Sequence, residues 1–306
     1  MSLSSSPSKV FVHIGLPKTA TTTLQYEFFP KFNNSNIVYV GLRTPRRQKQ
    51  SLLFEYFDKA VRLGEDIEQA NILLKSELQK RKSILVSDEL CLVSHKEQGS
   101  WREKMARLHK LLSGCQHAIL VTVREPAEAS FSYYVQMYHN FRKVKTPFLS
   151  LVKDSEAMEI YHYGKLIHEL ERYFHRDCLH FIPFEKIINN DLGGFDMLFS
   201  YSKERKNDTL SSHRNFRPKD SKVVKRNYSR SLGSILDKFF PGTGALSLLP
   251  NPIKNKLMSV VKRLLGTQIS KPFVIERPSE SDMQAIRQYL QDETAALKEF
   301  GVDYSN

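Results

Sequence analysis

The feature that most constrains this chain is a short apolar run that leads into a threonine-rich segment through a glycine, a proline and a lysine. Lys9-Val-Phe-Val-His-Ile14 is rich in β-branched and aromatic side chains and is bounded by Gly15 and Pro17, which predicts a buried strand. Thr19 to Phe29 carries Leu24 and Phe28 at i, i+4 behind a threonine cluster able to cap, which predicts a helix that Pro30 stops. A strand joined so directly to a helix leaves the first helical amides without internal partners and aimed at the connecting loop. The positive end of the helix, those N–H donors, Lys18 and the hydroxyls of Thr21, Thr22 and Thr23 together predict a phosphate site. A helix that was merely capped would not need Gly15, Pro17 and Lys18 ahead of it.

The same alternation continues along the chain. Strands are predicted at Asn36–Val40, Ser83–Ser87, His117–Val123 and Cys178–Ile182, with helices at Glu65–Lys80, Trp101–Ser113, Glu125–Asn140 and Ser155–His175. Strands and helices in turn predict an α/β fold, a parallel central sheet flanked by helices on both faces. The chain's 306 residues suit one domain over 9–306 behind a disordered Ser/Pro leader at 1–8. The last third reads differently: 203–278 is expected to be an irregular, mostly helical insertion, broken by Pro241, Gly242, Gly244, Pro250 and Pro252. Within it, 253–265 places Ile253, Leu257, Val260, Val261 and Leu264 on one face, which suits a core-facing helix or peripheral contact with an acidic membrane. A final helix, Asp282–Phe300, is closed by Gly301 and makes the C-terminal extension mainly helical.

Charge narrows the partners without naming one. With 46 Lys+Arg against 33 Asp+Glu the chain carries +13, an excess that favours anions such as a nucleotide, an acidic glycan or a lipid surface. No nucleic-acid recognition motif accompanies it. Cys91, Cys115 and Cys178 are scattered and odd in number, so neither a disulfide framework nor a zinc ribbon is indicated and a reducing, cytoplasmic setting is expected. No apolar run of about 18 residues would span a bilayer, and none of the ten histidines shows metal-ligand spacing.

Two further strand ends carry chemistry. His117–Val123 is followed by Arg124-Glu-Pro-Ala-Glu-Ala-Ser-Phe-Ser132, where the arginine and the serine about two turns into the next helix are placed to grip one phosphate. Ser83–Ser87 ends in Asp88 and Glu89, two carboxylates at the carboxyl edge of the sheet, where open α/β folds bind ligands. A Walker A loop reads G-x-x-x-x-G-K-[ST]. The loop here has no second glycine, and Lys18 comes only three residues after Gly15.

Pro17-Lys-Thr-Ala-Thr-Thr-Thr-Leu24 resembles the 5'-phosphosulfate loop of sulfotransferases dependent on 3'-phosphoadenosine-5'-phosphosulfate (PAPS), which reads P-K-[TS]-G-[TS]-[TS]-x-L. It departs from that pattern at Ala20, where glycine is usual. Alanine tolerates helical dihedrals, so the loop is expected to survive with tighter clearance. Arg124, Ser132 and Tyr134 are similar to the family's 3'-phosphate motif, R-x-P-x-x-x-x-x-S-x-Y. The resemblance covers Lys9 to about Ser202 and resumes at Arg287–Leu297, which is similar to the closing helix of glycan sulfotransferases.

The resemblance implies a P-loop-NTPase-like fold. It also implies PAPS as donor and PAP as product with no metal required, an acceptor hydroxyl or amine on a carbohydrate, and donor binding by Pro17, Lys18, Thr19, Ala20, Thr21, Thr22, Thr23, Arg124 and Ser132. Lys18 would neutralise the departing phosphate, Glu89 would be the base with Asp88 the alternative, Arg43, Arg46 and Arg47 would receive an acidic acceptor, and His213–Arg217 would close over the nucleotide. The competing readings are a P-loop kinase or NTPase, suggested by the apolar strand ending in Asp88 and Glu89, and a nucleic-acid-binding protein, suggested by the charge.

Overall fold

The computed structural model describes residues 8–34, 36–41, 51–80, 82–141, 146–199, 223–226 and 273–304. Five strands, β1 (Val10–His13), β2 (Ile37–Gly41), β3 (Ser83–Ser87), β4 (His117–Val123) and β5 (Leu179–Pro183), form one sheet in the order β2-β3-β1-β4-β5. Every pairing is parallel, with His13 opposite Ser87 on β3 and Leu120 on β4.

The strands are apolar on both sides, and this places the sheet between two helical layers. Val10 and Val12, Ile84 and Val86, and Ile119, Val121 and Val123 enter one core. Phe11, Leu85, Ala118 and Leu120 enter the other. Successive side chains of a strand point to opposite faces, so strands buried on both read as continuous apolar runs. The sheet is the expected α/β arrangement.

After β1 the chain winds into α1 (Thr21–Thr23), widens to π geometry over Leu24–Phe28 and tightens to 3-10 geometry over Phe29–Phe32. Pro30 therefore does not stop the helical run. It sits in the first turn of the 3-10 segment, where its missing N–H has no partner to lose. This run packs Phe28, Phe29 and Phe32 with Phe195 on the second core.

The first core is covered by α2 (Leu52–Arg62), α3 (Ile67–Gln79) and α4 (Trp101–Leu111), with Phe57, Leu74, Trp101 and Leu108 fully buried. The helix α2 was not foreseen, although the Ser51 hydroxyl caps it by accepting from the Phe54 amide at 3.2 Å. Then follow α5 (Pro126–Phe141), α6 (Phe148–Asp154) and α7 (Tyr163–Glu171). The single helix expected over Ser155–His175 is broken: a 3-10 turn at Glu159–Tyr161 precedes α7, and His162 between them has φ −87° and ψ 88°.

After β5 come α8 (Phe184–Ile188) and α9 (Asp196–Phe199), and the chain closes with α10 (Glu280–Tyr289), α11 (Gln291–Ala295) and a 3-10 turn to Phe300 capped by left-handed Gly301.

Residues 1–217 with 278–306 form one compact unit and 218–277 a second. Within the second, β6 (Val223–Arg226) and β7 (Phe273–Glu276) pair antiparallel, so these residues of the stretch expected to be irregular helix are strand. The 253–265 segment lies outside the described residues. Among the described residues no helix is long and apolar enough to cross a membrane.

Candidate functional site

The loop after β1 continues along β4 beyond the strand proper: the Ile14 amide donates to Leu120 O at 3.0 Å and the Leu16 amide to Thr122 O at 3.3 Å. The chain then leaves the sheet through two left-handed residues, Lys18 at φ 74° and Ala20 at φ 62°. Ala20 is the N-cap of α1, with ψ 14°. The expectation that alanine is accommodated here because it favours right-handed helical dihedrals is therefore wrong. The position is left-handed, where a Cβ costs about 1–2 kcal/mol and glycine does not.

Left-handed residues alternating with ordinary ones turn successive N–H groups into one concavity, the backbone nest that binds anions. The first intrahelical bond is Leu24 N–H to Ala20 O at 3.0 Å, and the amides of Thr19, Ala20, Thr21, Thr22 and Thr23 donate to no group among the described residues. Lys18 is half-buried at the loop, and the Thr22 side chain is partly exposed on the first helical turn. Thr19 and Thr21 turn inward instead: their hydroxyls donate to Leu16 O at 2.6 and 3.4 Å. They shape the loop from below, and the amides of residues 19–23 are left undonated among the described residues.

Beneath the loop lies a polar cluster that sequence reasoning missed. His13, fully buried at the end of β1, places Nδ1 2.8 Å from Ser87 Oγ on β3 and Nε2 3.2 Å from Thr122 Oγ1 on β4. Thr122 Oγ1 lies 2.7 Å from Thr19 Oγ1, and Gln25 Nε2 donates to Ser87 O at 3.1 Å and to Ser87 Oγ at 3.2 Å. Burial lowers the His13 imidazole to about 3, so it is neutral throughout the physiological range. Gly15 makes room: a Cβ there would stand 2.4 Å from Thr122 Oγ1 and 2.7 Å from His13 Nε2. The available signal was a polar residue near the carboxyl end of each of three strands with apolar centres.

Arg124 follows β4 directly, and its backbone is clamped. The Tyr163 hydroxyl accepts from the Arg124 amide at 3.3 Å and donates to the Arg124 carbonyl. The Glu125 amide donates to Glu185 Oε1 at 3.3 Å, and the Tyr304 hydroxyl lies 3.2 Å from Val123 O and 2.8 Å from Glu185 Oε2. The guanidinium lies over the Phe184 ring at 4.8 Å and 3.8 Å from Glu128 Oε2. Ser132 is half-buried on α5, and no bond of its hydroxyl is seen among the described residues. Its neighbour Tyr133 packs 5.8 Å from the Tyr161 ring, whose hydroxyl donates to Pro17 O at 3.1 Å and so links α5 to the loop.

At the end of β3 the Asp88 amide donates to His13 O at 3.0 Å, and Asp88 Oδ1 caps the 3-10 turn Glu89–Leu92 by accepting from the Leu90 amide at 2.9 Å. Asp88 Oδ2 is buried with no hydrogen-bond partner among the described residues, and burial pushes the carboxyl up to about 6. The far end of the turn is held by fully buried Lys104, whose Nζ donates to Leu90 O at 3.1 Å and Val93 O at 2.6 Å. Glu89 is half-buried, and its charge adds to burial in pushing the Tyr133 hydroxyl up to about 12. Glu89 is thereby in electrostatic reach of α5.

Three adjacent strand ends, those of β3, β1 and β4, thus carry the carboxylates, the loop and the arginine. Arg43, Arg46, Arg47 and the His213–Arg217 loop lie outside the described residues.

Fold and site define a parallel α/β protein whose central strand is followed by a loop of undonated amides. No protein-family model and no curated protein matches the chain. Solved structures similar to it include a sulfotransferase from Alicyclobacillus acidocaldarius, at 13% identity and TM-score 0.39 over 76% of this chain and 90% of that one. Others are the sulfotransferase domain of the curacin biosynthetic pathway, at 14% and 0.38 over 66% and 77%, and retinol dehydratase in complex with retinol and PAP, at 11% and 0.32 over 97% and 83%.

Proposed function

We propose that this chain is a sulfotransferase that moves a sulfuryl group from PAPS to an acceptor hydroxyl or amine, with a carbohydrate as the acceptor class. The observation that carries the reading is the run of undonated amides from Thr19 to Thr23 beside the strand end that presents Arg124. Two anion grips on neighbouring strands suit a nucleotide with phosphates on both its 5' and 3' sides. The loop would hold the 5'-phosphosulfate through Lys18, the amides of residues 19–23 and the Thr22 and Thr23 hydroxyls. Arg124 and Ser132 would hold the 3'-phosphate.

In the transfer the acceptor atom attacks sulfur, the bond between sulfur and the bridging oxygen breaks, and PAP leaves with the negative charge. Lys18 neutralises that charge as it develops, an interaction strengthened in the transition state and worth roughly 3 kcal/mol. Glu89 takes the acceptor's proton. Asp88, its carboxyl already engaged in capping the turn, is the alternative base. Arg43, Arg46 and Arg47 would receive an acidic acceptor, and the three unpaired thiols suit a cytoplasmic, reducing setting.

The test is release of PAP from PAPS in the presence of a panel of oligosaccharides, phenols and amines, with Lys18→Ala beside the wild type. Acceptor-dependent release that falls on the order of 100-fold in the variant is expected. Release that is independent of Lys18, or absent with every acceptor, counts against the reading.

A further inference from the structure

The buried cluster beneath the loop can be assigned proton by proton. Thr19 Oγ1 donates its one hydrogen to Leu16 O at 2.6 Å, so in its 2.7 Å bond with Thr122 the proton comes from Thr122. Thr122, its hydrogen thus used, can only accept from His13, and His13 Nε2 carries a proton. A neutral imidazole with Nε2–H has an acceptor at Nδ1, and Ser87 Oγ donates to it at 2.8 Å. Ser87 Oγ in turn accepts from Gln25 Nε2 at 3.2 Å. The chain runs in one direction, Gln25 to Ser87 to His13 to Thr122 to Thr19 to Leu16 O, with every hydroxyl hydrogen placed. An imidazolium would take away the acceptor of the Ser87 hydrogen, and the Nδ1–H tautomer would in addition set bare Nε2 against a Thr122 oxygen whose hydrogen is already given to Thr19.

This relay crosses three strands at the point where each delivers a functional element. Ser87 immediately precedes Asp88 and Glu89, Thr122 lies two residues before Arg124, and Thr19 and Leu16 belong to the anion loop. All of its side chains are buried. A fully satisfied buried network fixes geometry because any slip leaves a polar group unpaired.

We propose that His13 is a positioning residue for the donor site: as the neutral Nε2–H tautomer it sets the anion loop against the strand ends that carry Glu89 and Arg124. The role rests on the donor-site reading above, whereas the relay itself does not. It is distinct from capping or core packing, because what the imidazole sets is the relation between the loop amides and Arg124.

The experiment pairs a tautomer readout with a binding readout. In the full chain, 15N-resolved imidazole spectra, with the His13 signals assigned by their loss in His13→Gln, are expected to show a neutral Nε2–H ring that does not titrate between about pH 5 and 8. Affinity for adenosine 3',5'-bisphosphate is then measured in Thr122→Val, Thr122→Ser and Val121→Ala, the last a buried apolar neighbour outside the relay. Thr122→Val is expected to bind on the order of tenfold more weakly. Thr122→Ser should restore binding, and Val121→Ala should bind as the wild type does despite its own loss of stability. Ser87→Ala opens the relay at its other end and serves if Thr122→Val does not fold. An Nδ1–H or titrating His13 overturns the relay, and relay variants that bind as tightly as Val121→Ala overturn the positioning role. A wild type that binds no bisphosphate overturns the donor-site reading and the positioning role with it, while the imidazole spectrum still decides whether the relay exists.

Discussion

Ala20→Gly should stabilise this protein, against the usual sign for glycine placed at the start of a helix. In the structure Ala20 holds φ 62° and ψ 14° at the N-cap of α1. For an L-residue with a Cβ that region costs about 1–2 kcal/mol relative to right-handed helix, and glycine enters it freely. Glycine also gains conformational freedom in the unfolded chain, which returns about 0.5–1 kcal/mol. The net expectation is a gain of up to about 1 kcal/mol. In a cooperative unit of this size that moves Tm upward by roughly 2 °C.

Urea titration of wild type and variant, followed by tryptophan fluorescence from Trp101 in the core of the same unit, reads the change as a midpoint shift at constant slope. Had Ala20 been in right-handed helix, the same substitution would destabilise by about 1 kcal/mol. The two accounts differ in sign. A lower midpoint in Ala20→Gly would refute the left-handed assignment and the nest of amides that follows from it.

Other perturbations follow from the same geometry. Gly15→Ala drives a Cβ to 2.4 Å from Thr122 Oγ1 and 2.7 Å from the His13 ring, so it should lose about 1–3 kcal/mol by urea titration and most of its bisphosphate affinity. Arg124→Ala should weaken adenosine 3',5'-bisphosphate by about 10- to 100-fold in competition binding while leaving 5'-AMP, which has no 3'-phosphate, unchanged; Arg124→Lys should recover only part, lacking the fork. Asp88 has its carboxyl raised from 3.8 to about 6, so the folded state holds that proton more tightly than the unfolded chain. The wild type is therefore penalised as pH rises from about 4 through 6, by up to about 3 kcal/mol above pH 7. In Asp88→Asn that component of the pH-dependence disappears, which chemical denaturation at a series of pH values will read; a stability difference between the two proteins that is constant with pH would contradict the burial of that charge.

The sheet was legible because its strands are apolar on both faces and bounded by breakers. The expected limits of β3 and β4 agree with those observed, since Ser83 and Ser87, and His117 and Val123, mark where the apolar runs begin and end. The loop after β1 was legible as a junction of strand and helix, but its handedness was not. An Ala-Thr-Thr-Thr run is compatible with either hand, and what decides it is tertiary: Thr19 and Thr21 tied to the Leu16 carbonyl, and Thr19 tied to Thr122 more than a hundred residues away. Pro30 misled because a proline ends an α-helix yet fits the first turn of a new 3-10 segment. The break at His162 was hidden in a helical pattern, and its ring nitrogen Nε2 lies 2.8 Å from Val152 O, a contact sequence periodicity does not contain. His13, Ser87, Thr122 and Gln25 were passed over because each reads alone as a polar residue at a strand end or on a helix. Only the parallel register that sets His13 opposite Ser87 and Leu120 makes them one structure.

The central claim, that the loop after β1 and Arg124 together hold a nucleotide phosphorylated at both 3' and 5' positions, is tested most directly by calorimetric titration of the wild type with adenosine 3',5'-bisphosphate in the absence of metal and, separately, with ATP and magnesium. The account predicts metal-independent binding of the bisphosphate and none of comparable strength for magnesium-ATP. Binding of magnesium-ATP alone would contradict it and make the strand end at Asp88 the carboxylate of a kinase; binding of neither would leave the basic surface, rather than this loop, as the place to look for the ligand.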